Sequence, residues 1–134
     1  MPDRSTFGVR PVAIGALAGA AGAALGSSLS PARRLDLGAL ELAFVAGAYP
    51  AMALYQGSRR AGAVECAVGG AFVGLAAGGL DRRSRIAIAV GLLGHAGWDA
   101  VHHLTDLGTR APSWFPPFCM VADVMLAAQF LRSG

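Results

Sequence analysis

The sequence contains little charge and no lysine. Only 14% of its 134 residues are Asp, Glu, Lys or Arg, and all eleven basic residues are arginine. Soluble domains average about 25% charged residues. The hydrophobic fraction is 54% and the mean hydropathy is +0.52. These values are unusual for a water-soluble domain and favour an integral membrane protein.

Sequence motifs of several common enzyme classes are absent. The chain has no dinucleotide-binding glycine motif, no P-loop, no nucleophile elbow and no internal repeat. A pI near 9.5 could indicate a nucleic-acid partner, but the arginines are distributed between apolar runs and do not form one patch. This distribution is typical of the loops of membrane proteins, so we expect no nucleic-acid partner.

Five apolar segments are separated by short loops that contain arginine or proline. About 20 helical residues cross a bilayer core, so each segment predicts one transmembrane helix. The predicted helices cover residues 11–29, 37–56, 61–80, 86–104 and 114–131. The expected fold class is therefore all-α, an integral membrane bundle of about five transmembrane helices, with residues 1–134 as a single domain.

Local features refine this prediction. Residues 31–34 and 57–60 are expected to be connecting loops, and Pro50 predicts a kink in the second helix. The first segment has an alternative interpretation as a cleaved signal peptide, since it follows a basic start and ends near small residues.

Glycines recur at helical spacing in the first and third segments. Such small-residue faces let two helix backbones approach closely. We expect these two segments to make the closest helix contacts, and a homo-oligomer could form through the same faces. The glycines are Gly15, Gly19, Gly22 and Gly26 in the first segment and Gly70, Gly74 and Gly78 in the third.

The arginine-bearing loops predict the orientation in the membrane. Alternating passage places Arg33, Arg34, Arg82, Arg83, Arg85 and Arg132 on one side, and Arg4, Arg10, Arg59, Arg60 and Arg110 on the other. Because arginine is enriched in cytoplasmic loops, the side with the three-arginine loop is expected to be cytoplasmic. The expected location is a cell membrane, the bacterial inner membrane, crossed several times, with the lipid bilayer as a partner.

All three histidines lie within ten residues of the fourth segment, together with one aspartate. On a helix with about 100° per residue, Asp99, His102 and His103 lie at roughly 40°, 340° and 80° from His95. These four residues therefore share one polar face at the end of an otherwise apolar helix.

Alternating passage places seven reactive side chains in the same half of the bilayer. Ionisable groups in lipid are costly unless paired, so we expect the side chains to converge inside the bundle. They are Glu65, His95, Asp99, His102, His103, Cys119 and Asp123. Glu41 begins the second segment on the opposite side and is excluded from this set.

Three interpretations of the set remain open. All seven residues are candidate ligands of zinc or iron, and Glu65, Asp99 and Asp123 are also candidate catalytic carboxylates. In an enzyme the metal would activate water or oxygen against a lipid-like small molecule. Alternatively, the residues form a proton or ion path, or they only join helices in a structural membrane subunit. Cys66 and Cys119 are expected to be inert thiols, with a disulfide as the alternative.

The stretch H-x-G-W-D-x-V-H-H-L, from His95 to Leu104, resembles the signature of a family of small bacterial integral membrane proteins of unknown function. That family has a glutamate in the preceding helix, which Glu65 matches. A proline-rich connection then leads to a cysteine and, four residues later, an aspartate, as at Cys119 and Asp123. The resemblance covers about residues 30–131 and does not include Cys66. It implies that the polar residues are functional, with no activity to transfer.

Overall fold

The computed structural model describes residues 8–105 and 109–132. Within these ranges the chain forms six α-helices and no β-strand. The helices are α1 Val9–Ser28, α2 Pro31–Ala46, α3 Ala48–Tyr55, α4 Arg59–Asp81, α5 Arg85–Leu104 and α6 Phe115–Arg132. α2 and α3 continue one another across Gly47, so the described chain has five helical segments. The all-α prediction is confirmed for the described ranges. Arg4 lies outside them.

Two stretches predicted as loops contain the first turns of helices. Residues 31–34 open α2, because the Ser30 side chain caps the helix and Pro31 occupies the first helical position. α4 begins at Arg59 for the same reason, with Ser58 as its cap. The loop predictions were wrong at these positions because an arginine in a first helical turn still reaches solvent.

The second segment is interrupted near the predicted kink. Pro50 has no N–H to donate to the carbonyl of Ala46, and α2 ends at Ala46. Gly69 of α4 packs against this carbonyl, where a Cβ atom on residue 69 would lie only 2.6 Å from the Ala46 oxygen. The interruption therefore brings α3 close to α4, and a glycine is needed at the point of contact.

The closest helix packing differs from the prediction. α6 packs most extensively against α5 and α1. Gly19 of α1 faces the backbone of Ala122 in α6, whereas Cβ atoms added at Gly70 and Gly74 of α4 would have no neighbour within 4 Å. The predicted contact between the first and third segments was therefore wrong. A glycine face permits close packing but does not specify the partner helix.

α1 and α6 run parallel. Gly15 lies opposite Phe118, and Gly26 lies opposite Gln129. The Gln129 side chain joins the two helices, since its Nε2 donates to the Ala23 carbonyl at 2.6 Å. Parallel packing is what alternating passage requires of the first and fifth segments.

The interior divides along the bundle axis into an apolar half and a polar half. The apolar half lies between α2, α4, α5 and α6 and includes Leu42, Ile88, Leu92, Leu126 and Phe130. The polar half lies near the start of α4, the end of α5 and the start of α6. Its buried histidine, aspartate and glutamate residues are Glu65, His95, Asp99, His102, His103 and Asp123.

The outer surface exposes large apolar side chains. Leu17, Phe44 and Leu54 are 71%, 80% and 70% exposed. By length and composition, three helical stretches of the described chain could cross a membrane: Val9–Ser28, Pro31–Tyr55 and Arg59–Asp81. These apolar helices fit association with a lipid bilayer.

Candidate metal centre

Three ionisable side chains meet between α5 and α6. His95 Nδ1 lies 2.7 Å from Asp123 Oδ2 and 3.3 Å from Asp99 Oδ2. All three residues are at most 2% exposed. Each offers one ligand atom, and these atoms lie within 4.8 Å of one another. We refer to His95, Asp99 and Asp123 as the triad.

The triad has more hydrogen-bond acceptors than protons to share. A ring nitrogen carries at most one proton, and an ionised carboxylate only accepts. The short contact with Asp123 uses the Nδ1 proton of His95, and Asp99 Oδ2 is buried without a hydrogen bond. His95 Nε2 is also buried without one. Because an unpaired buried polar group is costly, the triad is suited to bind a cation.

The negative charge around the triad has no buried arginine to balance it. Every arginine that the structure describes is exposed or half-buried. Glu41 of α2 lies close enough to Asp123 for the two carboxyl groups to interact electrostatically. Glu41 was left out of the predicted polar set as a residue at the start of the second segment. α2 begins at Pro31 rather than at residue 37, which places Glu41 about three turns into the helix instead of at its start.

A second buried polar group lies between α4 and α5. Glu65 accepts hydrogen bonds from Trp98 Nε1 at 3.0 Å and from the Thr109 N–H at 3.3 Å. His102 Nε2 lies 3.0 Å from Glu65 Oε1, although its angle is outside hydrogen-bond geometry. We refer to Glu65, Trp98, His102 and Thr109 as the Glu65 cluster.

Tyr49 connects the triad to the Glu65 cluster. Its hydroxyl donates to Asp99 Oδ1 at 2.7 Å. Its ring stacks on the imidazole of His102, with centroids 3.9 Å apart and planes inclined by 8°. Phe115 packs edge-on against the same ring. Tyr49 is therefore held on three sides, and it is only 1% exposed.

The structure separates the predicted site residues into groups. Three of them form the triad, while Glu65 and His102 lie 3.0 Å apart in the second cluster. Cys119 is buried and interacts electrostatically with both carboxylates of the triad, without being one of its three ligands. His103 is buried at the end of α5. Cys66 is exposed, and both cysteines are free.

Three contributors were not identified from the sequence. Trp98 contributes through its indole N–H, and Thr109 lies in a connection without periodicity. That connection is fixed by reciprocal hydrogen bonds between Gln56 and Arg110. Tyr49 had a usable signal, because it lies toward the end of the second segment, in the same half of the bundle as the histidines. A buried tyrosine hydroxyl also needs a partner.

Comparison with known proteins gives a family but no activity. No curated protein and no solved structure matches the chain. One family model matches residues 9–134, which include all six helices and both buried polar groups. The expected membership of an uncharacterised family is thus confirmed at the level of the family. The chain belongs to DUF6010, a family of unknown function.

Proposed function

We propose that the protein is an integral membrane protein with five spans, and that its triad binds one divalent transition-metal ion, zinc or iron. The supporting observation is the unsatisfied Asp99 Oδ2 beside the contact between His95 and Asp123. A proton on His95 Nδ1 can pair with one carboxylate, whereas a cation contacts all three ligand atoms at once.

The surfaces of α5 and α6 support five spans. Exposed apolar side chains of α5 include Ile86, Val90 and Leu93, which are 49%, 51% and 42% exposed. Those of α6 include Val124 and Leu131, which are 46% and 49% exposed. Mean hydropathy averages this outward apolar face with the inward polar one, which lowers the values of both helices. Their 20 and 18 residues correspond to about 30 and 27 Å, close to a bilayer core of about 30 Å.

The ligand set suits a metal with open coordination positions. Zinc binds imidazole and carboxylate at about 2.0–2.2 Å, so neighbouring ligands around a tetrahedral ion lie roughly 3.4 Å apart. The 3.3 Å separation of His95 Nδ1 and Asp99 Oδ2 already fits. The 2.7 Å contact to Asp123 would lengthen if an ion took the place of the proton. Three protein ligands leave room for water or substrate.

A lipid-like substrate is proposed because of a crevice at the triad end of the bundle. The crevice has a volume of about 210 Å³ and is lined by Arg10, Pro11, Ile14, Trp114 and Phe118. Its wall is apolar, which suits the hydrocarbon part of such a substrate. In the proposed reaction Asp99 and Asp123 would hold the metal as ligands and Glu65 would transfer protons; a bound metal would supply the activation of water or oxygen.

Metal analysis of the detergent-purified protein tests this proposal. We expect one zinc or iron ion per chain in the parent, and loss of the ion in His95→Ala and Asp123→Asn with helix content retained by circular dichroism. Cys66→Ser changes an exposed side chain and should keep the ion. If the parent binds neither Zn(II) nor, anaerobically, Fe(II) after reconstitution, the proposal is wrong.

A proton carrier is the second candidate, and the position of Tyr49 between the two polar groups favours it. The same buried residues would then exchange protons in series. Proteoliposomes containing a pH-sensitive dye distinguish the two functions. A carrier gives proton flux that His95→Ala abolishes, whereas a metal site gives bound metal without flux.

A further inference from the structure

Tyr49 controls which oxygen atoms of Asp99 are available. The two carboxylate oxygens face different partners, with Oδ1 accepting from the Tyr49 hydroxyl at 2.7 Å and Oδ2 lying 3.3 Å from His95 Nδ1. Asp99 is completely buried and Tyr49 is 1% exposed, so water does not compete for this hydrogen bond. Rotation of the carboxylate toward a second contact with the ion would break it.

We infer that Tyr49 is a positioning residue that makes Asp99 a one-oxygen ligand. This inference rests on the proposed metal site. A hydrogen bond to the non-ligating oxygen fixes the orientation of a ligating carboxylate. With Oδ1 occupied, the triad supplies three donor atoms, one each from His95, Asp99 and Asp123. The remaining coordination positions of the ion stay open for small ligands.

The stack on His102 gives Tyr49 a second effect. The two rings are nearly parallel and 3.9 Å apart, and His102 pairs with Glu65 at 3.0 Å. The tyrosine ring thereby keeps His102 in the Glu65 cluster and away from the triad. His102 is one of the seven predicted ligands, and the Tyr49 ring that covers one face of its imidazole keeps it out of the triad.

Cobalt(II) bound in place of the native metal tests the inference, because its visible absorption reports coordination number. Tyr49→Phe keeps the ring and its stack on His102 but removes the hydroxyl. We expect Asp99 to become a two-oxygen ligand in this variant, which raises the coordination number and weakens the visible bands. Losing a hydrogen bond that orients a ligand should also reduce cobalt affinity about tenfold or more. Tyr55→Phe, at a side chain that is 94% exposed, is the matched control and should leave the visible spectrum and the cobalt affinity unchanged.

The outcomes separate this inference from the function on which it rests. If the parent binds no cobalt, zinc or iron, the metal site itself is wrong. If parent and Tyr49→Phe bind cobalt with the same spectrum and affinity, the role of Tyr49 is wrong and the metal site stands. If Tyr49→Phe does not fold, X-ray absorption of the cobalt-loaded parent decides. A carboxylate that binds through both oxygens places its carbon closer to the metal than one that binds through a single oxygen. This shorter metal–carbon distance in the parent would overturn the inference.

Discussion

Glu65 illustrates how a carboxylate is accommodated in an apolar helix bundle. Its oxygens accept hydrogen bonds from the indole N–H of Trp98 and the backbone N–H of Thr109, and the imidazole of His102 lies 3.0 Å away. These partners come from α5 and from the connection before α6. One side chain therefore ties α4 to two parts of the chain that are distant from it in sequence.

Replacing this carboxylate should destabilise the fold. In Glu65→Gln one oxygen becomes an NH₂ group that faces donors, so at least one hydrogen bond to a charged group is lost. We expect the free energy of unfolding in detergent to fall by about 1.5–3 kcal/mol, with a change in tryptophan fluorescence from Trp98.

The control for this substitution is Asp36→Asn. Asp36 pairs with Arg83 at 3.5 Å, but both side chains are more than 60% exposed. Such a pair contributes about 0–1 kcal/mol. Equal losses of stability in the two variants would contradict the structural role assigned to Glu65.

At the scale of helices, α1 depends on α6 for its close packing. Gly19 leaves no room for a side chain, since an added Cβ would lie 2.9 Å from Met125 Cβ and 3.1 Å from the Ala122 backbone. α1 has few other large contacts, as its remaining packing is a smaller contact with α2. Separation from α6 therefore detaches most of α1 from the bundle.

We predict that Gly19→Leu destabilises the protein by about 1–3 kcal/mol because the side chain forces the two backbones apart. Thermal unfolding in detergent measures the effect. Gly74→Leu is the matched control, because a Cβ at this position of α4 meets nothing within 4 Å. Greater damage from Gly74→Leu would show that α4 uses its glycine face in a contact with another chain.

For the whole molecule, two arginines hold helix ends together at the end of the bundle opposite the triad. Arg34 donates to the Gly26 carbonyl at the end of α1, and Arg85 donates to the Phe130 carbonyl at the end of α6. Arginines at helix C-termini interact favourably with the helix dipole. These contacts place the loops before α2 and α5 and the end of α6 at the same end of the bundle.

We predict that this end is cytoplasmic and that the triad lies in the opposite half of the membrane. Reporter fusions measure the orientation. An enzyme reporter active only outside the cytoplasm should be active when fused after Gly57 and inactive when fused after Arg83. The reverse pattern would place the triad toward the cytoplasm, and equal activities would contradict passage of α4 through the membrane.

Part of the candidate site could be derived from the sequence. His95 and Asp99 were grouped because they share a helix face, and Asp123 was added because alternating passage sets its depth. Both arguments use only the helical repeat and the lengths of the apolar segments. The convergence of only three of the seven candidates could not be derived, because it depends on which side chain fills the space beside each group. Tyr49 fills the space between Asp99 and His102. Its position follows from the interruption between α2 and α3.

The sequence by itself determined the helical class, the number of helical segments and the half of the bundle in which the polar side chains lie. Apolar periodicity and segment length are local properties of the chain, so they are readable without the fold. Tertiary structure alone decided that α1 packs on α6, that Glu41 approaches Asp123, and that Glu65 pairs with His102 rather than with the triad. These outcomes depend on shape complementarity between distant segments, which neither spacing nor composition encodes.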